Sequence, residues 1–196
     1  MVSGRVRSGP GAPTRLRGRI GLTDETSRQG LIAFLKSPRY EVLPTESVEE
    51  LVVAHVPKEV TITITASPRR GIDATVSLAE SLAKHGYQVV PHISARLIRD
   101  QAHLQEVLAR VDAVGRREVF IVAGDAKEPA GDFPDSVSLL EAINAEPHRL
   151  REIGITGYPE RHSFIEDDLT IQAMWDKRRL ATYIVKIGRA SCRERV

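Results

Sequence analysis

VTITITASPRRGIDATVSLAESLAKHGYQVVPHIS, residues 60–94, decides the architecture. It opens with a β-branched run, 60–65, that suits a pleated strand. Asp73 then stands where a helix cap is wanted, and Gly86 closes the helical stretch after Lys84 and His85. A second apolar strand, 87–94, follows at once. Strand, helix and strand joined by such short connections require a parallel crossover unit.

The same unit recurs on both sides. Upstream, RYEVLP (39–44) reads as a short strand closed by Pro44. SVEELVVAHV (47–56) reads as a helix with Ser47 and Glu50 at capping-box spacing. Downstream, Asp100 caps QAHLQEVLARVDAV (101–114), whose Leu104, Val107, Leu108 and Val111 share one face, and Gly115 ends it. REVFIVAG (117–124) is the fourth strand, and an acidic loop with Gly and Pro leads to the helix SVSLLEAINAE (136–146), stopped by Pro147. REIGITGYP (151–159) is the fifth strand, EDDLTIQAMWDKRRL (166–180) a helix, and ATYIV (181–185) starts a sixth strand.

Repeats of roughly 25–35 residues fit either an open doubly wound sheet or a (β/α)8 barrel. No G-x-G-x-x-G follows the first strand and no G-x-x-x-x-G-K-[ST] occurs anywhere. Without those phosphate-cradling turns the balance moves to an incomplete TIM barrel, with about six of its eight βα units present.

Charge is concentrated at the ends. Residues 1–19 carry five arginines and no acid, and residues 186–196 carry +3, so a chain of net +2 has a body of −6. The basic balance therefore gives little support to a nucleic-acid partner. The lone cysteine, Cys192, lies in the tail, which leaves the body without a disulfide framework, a thiolate metal site or a cysteine nucleophile. A cytoplasmic address is the default. No apolar run approaches the roughly 18 residues of a membrane span, and the Arg- and Gly/Pro-rich start lacks the apolar core of a secretory signal. The expected organisation is a basic disordered leader and entry segment over 1–38, a partial barrel over 39–185, and a non-native tail over 186–196.

In a (β/α)8 barrel, chemistry gathers where strands end. Polar residues recur at those places: Glu41, Thr65, His92, Asp125 and Tyr158, with His162 close behind. Each has an ordinary reading. Glu41 could be a solvated strand-end carboxylate, His92 a hydrogen-bonded core histidine, Asp125 a turn residue after Gly124, and Tyr158 a packing residue. Asp167 and Asp168 suit the acidic first turn of a helix, and Arg69-Arg70 a solvated turn. His85, His103 and His148 are scattered over helix faces and ends, and no metal-ligand set is read.

YEVLP on the first strand, VVPHIS on the third, IVAGD on the fourth and ITGYPERH on the fifth occur in an order and spacing that resemble the methylenetetrahydrofolate reductase family. GYPERH is the most specific of these, and the resemblance spans roughly residues 39–185. It implies a flavoprotein barrel of one-carbon metabolism, serving methionine biosynthesis. In such an enzyme FAD carries hydride from NAD(P)H to 5,10-methylenetetrahydrofolate, giving 5-methyltetrahydrofolate. Opening of the substrate ring needs a proton donor, and by resemblance Glu41 is that acid, its acidity weakened by burial. The resemblance also places Thr65, His92, Asp125, Tyr158 and His162 against the flavin, gives Asp125 a part in stabilising the cationic substrate, and matches Lys177 to a cofactor-contacting lysine. Folate and NAD(P)H are then the partners, with no nucleic acid and no membrane, and a homo-oligomeric full-length parent is left open. The alternatives are a non-catalytic folate- or flavin-binding barrel and a different barrel enzyme such as a lyase.

The chain departs from the family pattern in three places. YEVLPTE replaces an aromatic-rich first strand, Ala123 stands where an arginine usually precedes Gly-Asp, and TITASPRR lacks the usual aromatic or glycine after its threonine. Residues 187–196 resemble translated read-through into a sequencing adapter. The expectation is an interrupted gene product with two exposed sheet edges that is unstable and inactive by itself.

Overall fold

A computed structural model describes residues 25–35, 38–115, 117–158 and 165–186. Two compact units divide the chain, 1–36 and 37–196. In the first, α1 (Glu25–Leu35) carries Glu25 in its opening turn, where Gln29 Nε2 donates to Glu25 Oε1 at 3.1 Å. No element was expected there. Gly30 inside a short polar stretch hides the helix from sequence reading.

The second unit alternates β1 (Arg39–Val42), α2 (Val48–His55), β2 (Thr61–Ile64), α3 (Gly71–Lys84), β3 (Val89–Ser94), α4 (Gln101–Ala113), β4 (Glu118–Val122), α5 (Ser136–Ala145), β5 (Glu152–Gly157), α6 (Asp167–Lys177) and β6 (Tyr183–Lys186). All neighbouring strands are parallel and the sheet order is β1-β2-β3-β4-β5-β6. This is a curled half-barrel, an incomplete (β/α)8 barrel, the one of the two architectures that the missing phosphate-cradling turns favoured.

The strands alternate between two environments. Ile62, Ile64 and Val89 point into a helix-side core with Val48 and Val52 of α2 and Leu78, Ala79 and Leu82 of α3. Ile93, Val119, Ile121, Ile153 and Ile155 do the same with α3, α4 and α5, where Leu104, Val107, Leu108 and Val111 form the face read from sequence. The opposite face is far more polar. Its central row, set by register, runs His92, Phe120, Gly154 and Tyr183. A Cβ on Gly154 would lie 2.4 Å from Tyr183 Cζ and 2.5 Å from Phe120 Cδ2, so only glycine lets those two rings approach at 6.3 Å between centroids.

Two caps differ from expectation. Ser47 precedes α2 but makes no side-chain cap bond, because its backbone is near-helical (φ −99, ψ −1) instead of extended. Asp73 is not the cap of α3. The helix starts earlier, at Gly71, after a turn that pairs Ser67 with Gly71. Asp73 occupies the first turn, where its charge complements the helix dipole, and Arg110 of α4 reaches it at 3.0 Å. Asp100 does cap α4, accepting from the His103 amide.

β1 and β6 end the sheet among the described residues, and apolar side chains are exposed along both flanks: Tyr40, Leu43 and Leu51 at one, Leu169, Trp175, Ile184 and Val185 at the other. Among the described residues no helix is long and apolar enough to cross a membrane. The tail beyond Lys186 and the leader before Glu25 lie outside the described residues.

Candidate functional site

The strands deliver their C-terminal ends to one cavity of about 570 Å³. Thr65 follows β2, His92 lies in β3, Asp125 follows β4 and Tyr158 follows β5, and all four line it. α5 contributes its first turn through Ser136 and Val137. α6 forms the far wall with Leu169, Ala173, Met174 and Lys177. Apolar surface dominates the lining, but many polar groups converge on it, among them the carboxylates of Asp125, Asp135 and Asp176 beside Lys177.

Glu41 does not line the cavity. It sits beside it on β1, where Thr65 Oγ1 donates to Glu41 Oε1 at 2.7 Å. The carboxylate is exposed on the edge strand, so the burial invoked for an acid role is absent in this chain. The structure thus brings five of the residues singled out in sequence to one cavity and hangs a sixth, Glu41, on its rim. His162 lies outside the described residues.

His92 is 8% exposed and its ring lies 4.9 Å from that of Phe120. Burial holds its imidazole below the ordinary value, and the nearby Glu41 charge partly offsets this. The unfolded chain therefore binds the proton more readily than the folded one. The resulting stability is complete above the unfolded value, about 6.5, and is lost as pH falls through and below it toward the folded value. His92→Phe should flatten that acid limb in denaturant titrations run between neutral and mildly acidic pH. An unchanged limb would place the titration elsewhere.

Lys177, the last residue of α6, is 7% exposed and its amine makes no hydrogen bond or ion pair among the described residues. Burial pulls its ammonium below the ordinary lysine value, and Asp135 partly compensates from a distance. Asp135 is itself engaged as the cap of α5, accepting from the Val137 and Ser138 amides at 2.9 Å. The stem is buried while the amine opens on the cavity, so an anion entering there would meet a cation with no ion-pair partner among the described residues.

Gly124 shows why the fourth strand ends as AGD. It has φ +92, and a Cβ there would meet Ser94 Oγ at 1.8 Å. Ser94 in turn donates to the Ala123 carbonyl at 3.2 Å. The close seam between the ends of β3 and β4 therefore needs glycine at 124, and that seam aims Asp125 at the cavity.

Sequence reasoning missed several contributors. The cap and first turn of α5, Asp135 and Ser136, were legible as D-S before an apolar periodic run. Arg96 and the buried Glu118 gave no local signal. The sequence pattern of the methylenetetrahydrofolate reductase family matches residues 36–184, most of the chain. The chain belongs to that family. Membership in the methylenetetrahydrofolate reductase family fits the half-barrel and marks the chain as related to oxidoreductases.

Proposed function

We propose that this chain forms the cofactor-holding part of a methylenetetrahydrofolate reductase that uses FAD and NAD(P)H to reduce 5,10-methylenetetrahydrofolate to 5-methyltetrahydrofolate, with the cytoplasm as its compartment. The observation that carries the reading is the unpaired Lys177 ammonium in the same cavity as Thr65, His92, Asp125 and Tyr158. The residues fit a flavin dinucleotide. Lys177 supplies a cation for a phosphate group, Thr65 and Tyr158 supply hydroxyls, and the apolar lining from Val122 to Met174 accepts a ring system. FAD, when bound, supplies the hydride chemistry.

The chain's own residues do the rest. His92 is held neutral by burial and can donate or accept one hydrogen bond from the inner face of the sheet. Asp125, fixed by the Gly124 turn, brings a negative charge to the cavity mouth, where it favours a cationic folate over a neutral one. Glu41 keeps Oε1 on the Thr65 hydroxyl, which leaves Oε2 to carry the proton that ring opening needs. A second reading, a barrel that binds flavin or folate without turnover, is favoured by the exposure of Glu41.

The test is an FAD titration of the purified chain followed by flavin fluorescence, alongside Lys177→Met. Removing a partly desolvated ammonium should leave the fold as stable as before, or more stable by up to about 1 kcal/mol. The same change should weaken FAD at least about tenfold, since a charge-assisted bond to an anion is worth about 1.5–3 kcal/mol. No FAD binding by the unaltered chain would end the cofactor reading. Equal FAD affinity in the methionine variant would end the role of Lys177.

A further inference from the structure

Residues 123–134 connect β4 to α5 without secondary structure, a length at which loops in compact domains are usually functional. Among the described residues no backbone hydrogen bond closes this stretch on itself; its backbone bonds go to the segment after β3. One residue of that segment does most of the work. Arg96 lies in the 3₁₀ turn Ala95–Leu97. Its amide donates to the Ala123 carbonyl at 3.1 Å, and its carbonyl accepts from the Ala130 amide at 3.0 Å. Its guanidinium donates from Nε to the Pro134 carbonyl at 2.9 Å, and from Nη1 to the carbonyls of Ala126 at 2.7 Å and Lys127 at 3.1 Å.

The bonded positions have a pattern. Ala126 and Lys127 immediately follow Asp125, and Pro134 immediately precedes Asp135. Asp125 and Asp135 both line the cavity, and Arg96 does not. A single planar fork outside the cavity therefore fixes the two acidic edges of its wall relative to each other. A second tie keeps the far side of the loop in place. The Asp132 amide donates to the Arg99 carbonyl at 2.9 Å, and a Cβ on Gly131 would sit 1.7 Å from that oxygen. Lysine cannot replace the fork, because a point charge lacks donors splayed in one plane toward carbonyls on opposite sides.

We propose that Arg96 is a positioning residue: it sets the β4–α5 loop and, through it, the placement of Asp125 and Asp135 at the cavity wall. Its bearing on flavin affinity rests on the function proposed above.

The experiment measures amide hydrogen exchange over 123–134 and FAD affinity in the full chain, in Arg96→Ala and in Arg96→Lys. Exchange of the loop amides should rise at least about tenfold in both variants while the amides of β3 and β4 keep their protection. FAD affinity should fall about tenfold with little change in melting temperature, because a truncated guanidinium strands carbonyls without touching the core. Added guanidinium ion should restore loop protection to the alanine variant. Unchanged exchange over 123–134 overturns the proposal. So does a loss of protection spread evenly over the sheet in Arg96→Lys, the variant that decides if alanine prevents folding. If the unaltered chain binds no FAD, the cofactor reading falls, and the loop exchange alone still decides the role of Arg96.

Discussion

Arg39→Met is expected to destabilise the half-barrel by about 3 kcal/mol, the low end for breaking a buried ion pair. Glu118 opens β4 on the polar inner face and its side chain is 2% exposed. Arg39 Nη1 reaches Glu118 Oε1 at 2.5 Å from β1, and the Tyr183 hydroxyl donates to the same oxygen at 2.7 Å from β6. The guanidinium also lies 5.6 Å from the Tyr183 ring centre. Three strands that share no ladder are thus tied at one carboxylate. Two of them, β1 and β6, are the strands that, among the described residues, have a hydrogen-bonded neighbour on one side only. Removing Arg39 takes the cation away from a carboxylate that stays buried beside the Tyr183 hydroxyl. Part of the penalty is relieved because the Arg39 side chain is 39% exposed, which lets water approach.

The matching control follows from the same physics. Arg39→Met combined with Glu118→Leu removes the charge together with its partner, so the double variant should be more stable than Arg39→Met alone. Urea melts of both variants decide the matter. If the double variant is the weaker, the carboxylate is not what makes the single change costly. Tyr183 gives an independent check. Burial, then the bond to Glu118, pushes its phenol well above the ordinary value. Its contribution is complete below about pH 10 and fades as pH rises above that, by the usual linkage of a raised group.

The order of elements was legible because each carries its own local chemistry. The β-branched run at 60–65, Asp100 before an apolar face, and the glycines after α3 and α4 all act within a few residues of themselves. The same holds for the strand-end positions Thr65, His92, Asp125 and Tyr158, which a parallel crossover must deliver to one rim. What stayed hidden depends on curl. Arg39 and Glu118 are 79 residues apart, and Arg39 and Tyr183 are 144 apart. Nothing local in REVFIV says that its glutamate faces inward toward an arginine from another strand. The β4–α5 loop was hidden for a related reason: its order comes from Arg96, a residue that reads as an ordinary surface cation after a strand. The caps at Ser47 and Asp73 misled because the right residue types stood near the right places, while the preceding turns fixed different backbone angles.

Glu41→Gln is expected to cut folate reduction by about 10²–10⁴-fold, the usual worth of a positioned general acid, while leaving NAD(P)H-dependent bleaching of the flavin band intact. Glutamine keeps a side-chain oxygen for Thr65 Oγ1, which now bonds Glu41 Oε1 at 2.7 Å, so the change removes the proposed acid and spares the geometry. Thr65→Val is the complementary change. It leaves the acid and releases its orientation, and a loss of about tenfold suits a single hydrogen bond. Neither variant should shift stability by more than about 0.5 kcal/mol, since Glu41 is exposed on an edge strand. The half-reactions separate the outcomes. If both fail in Glu41→Gln, the residue serves cofactor binding and not proton delivery. If neither changes, the proton comes from elsewhere on the inner face, and His92, whose imidazole feels the Glu41 charge, is the group to replace next. If the unaltered chain binds FAD but reduces no folate, the non-catalytic reading gains. The exposure of Glu41 would then be the physical reason, because an acid open to water offers its proton to solvent as readily as to a bound ring.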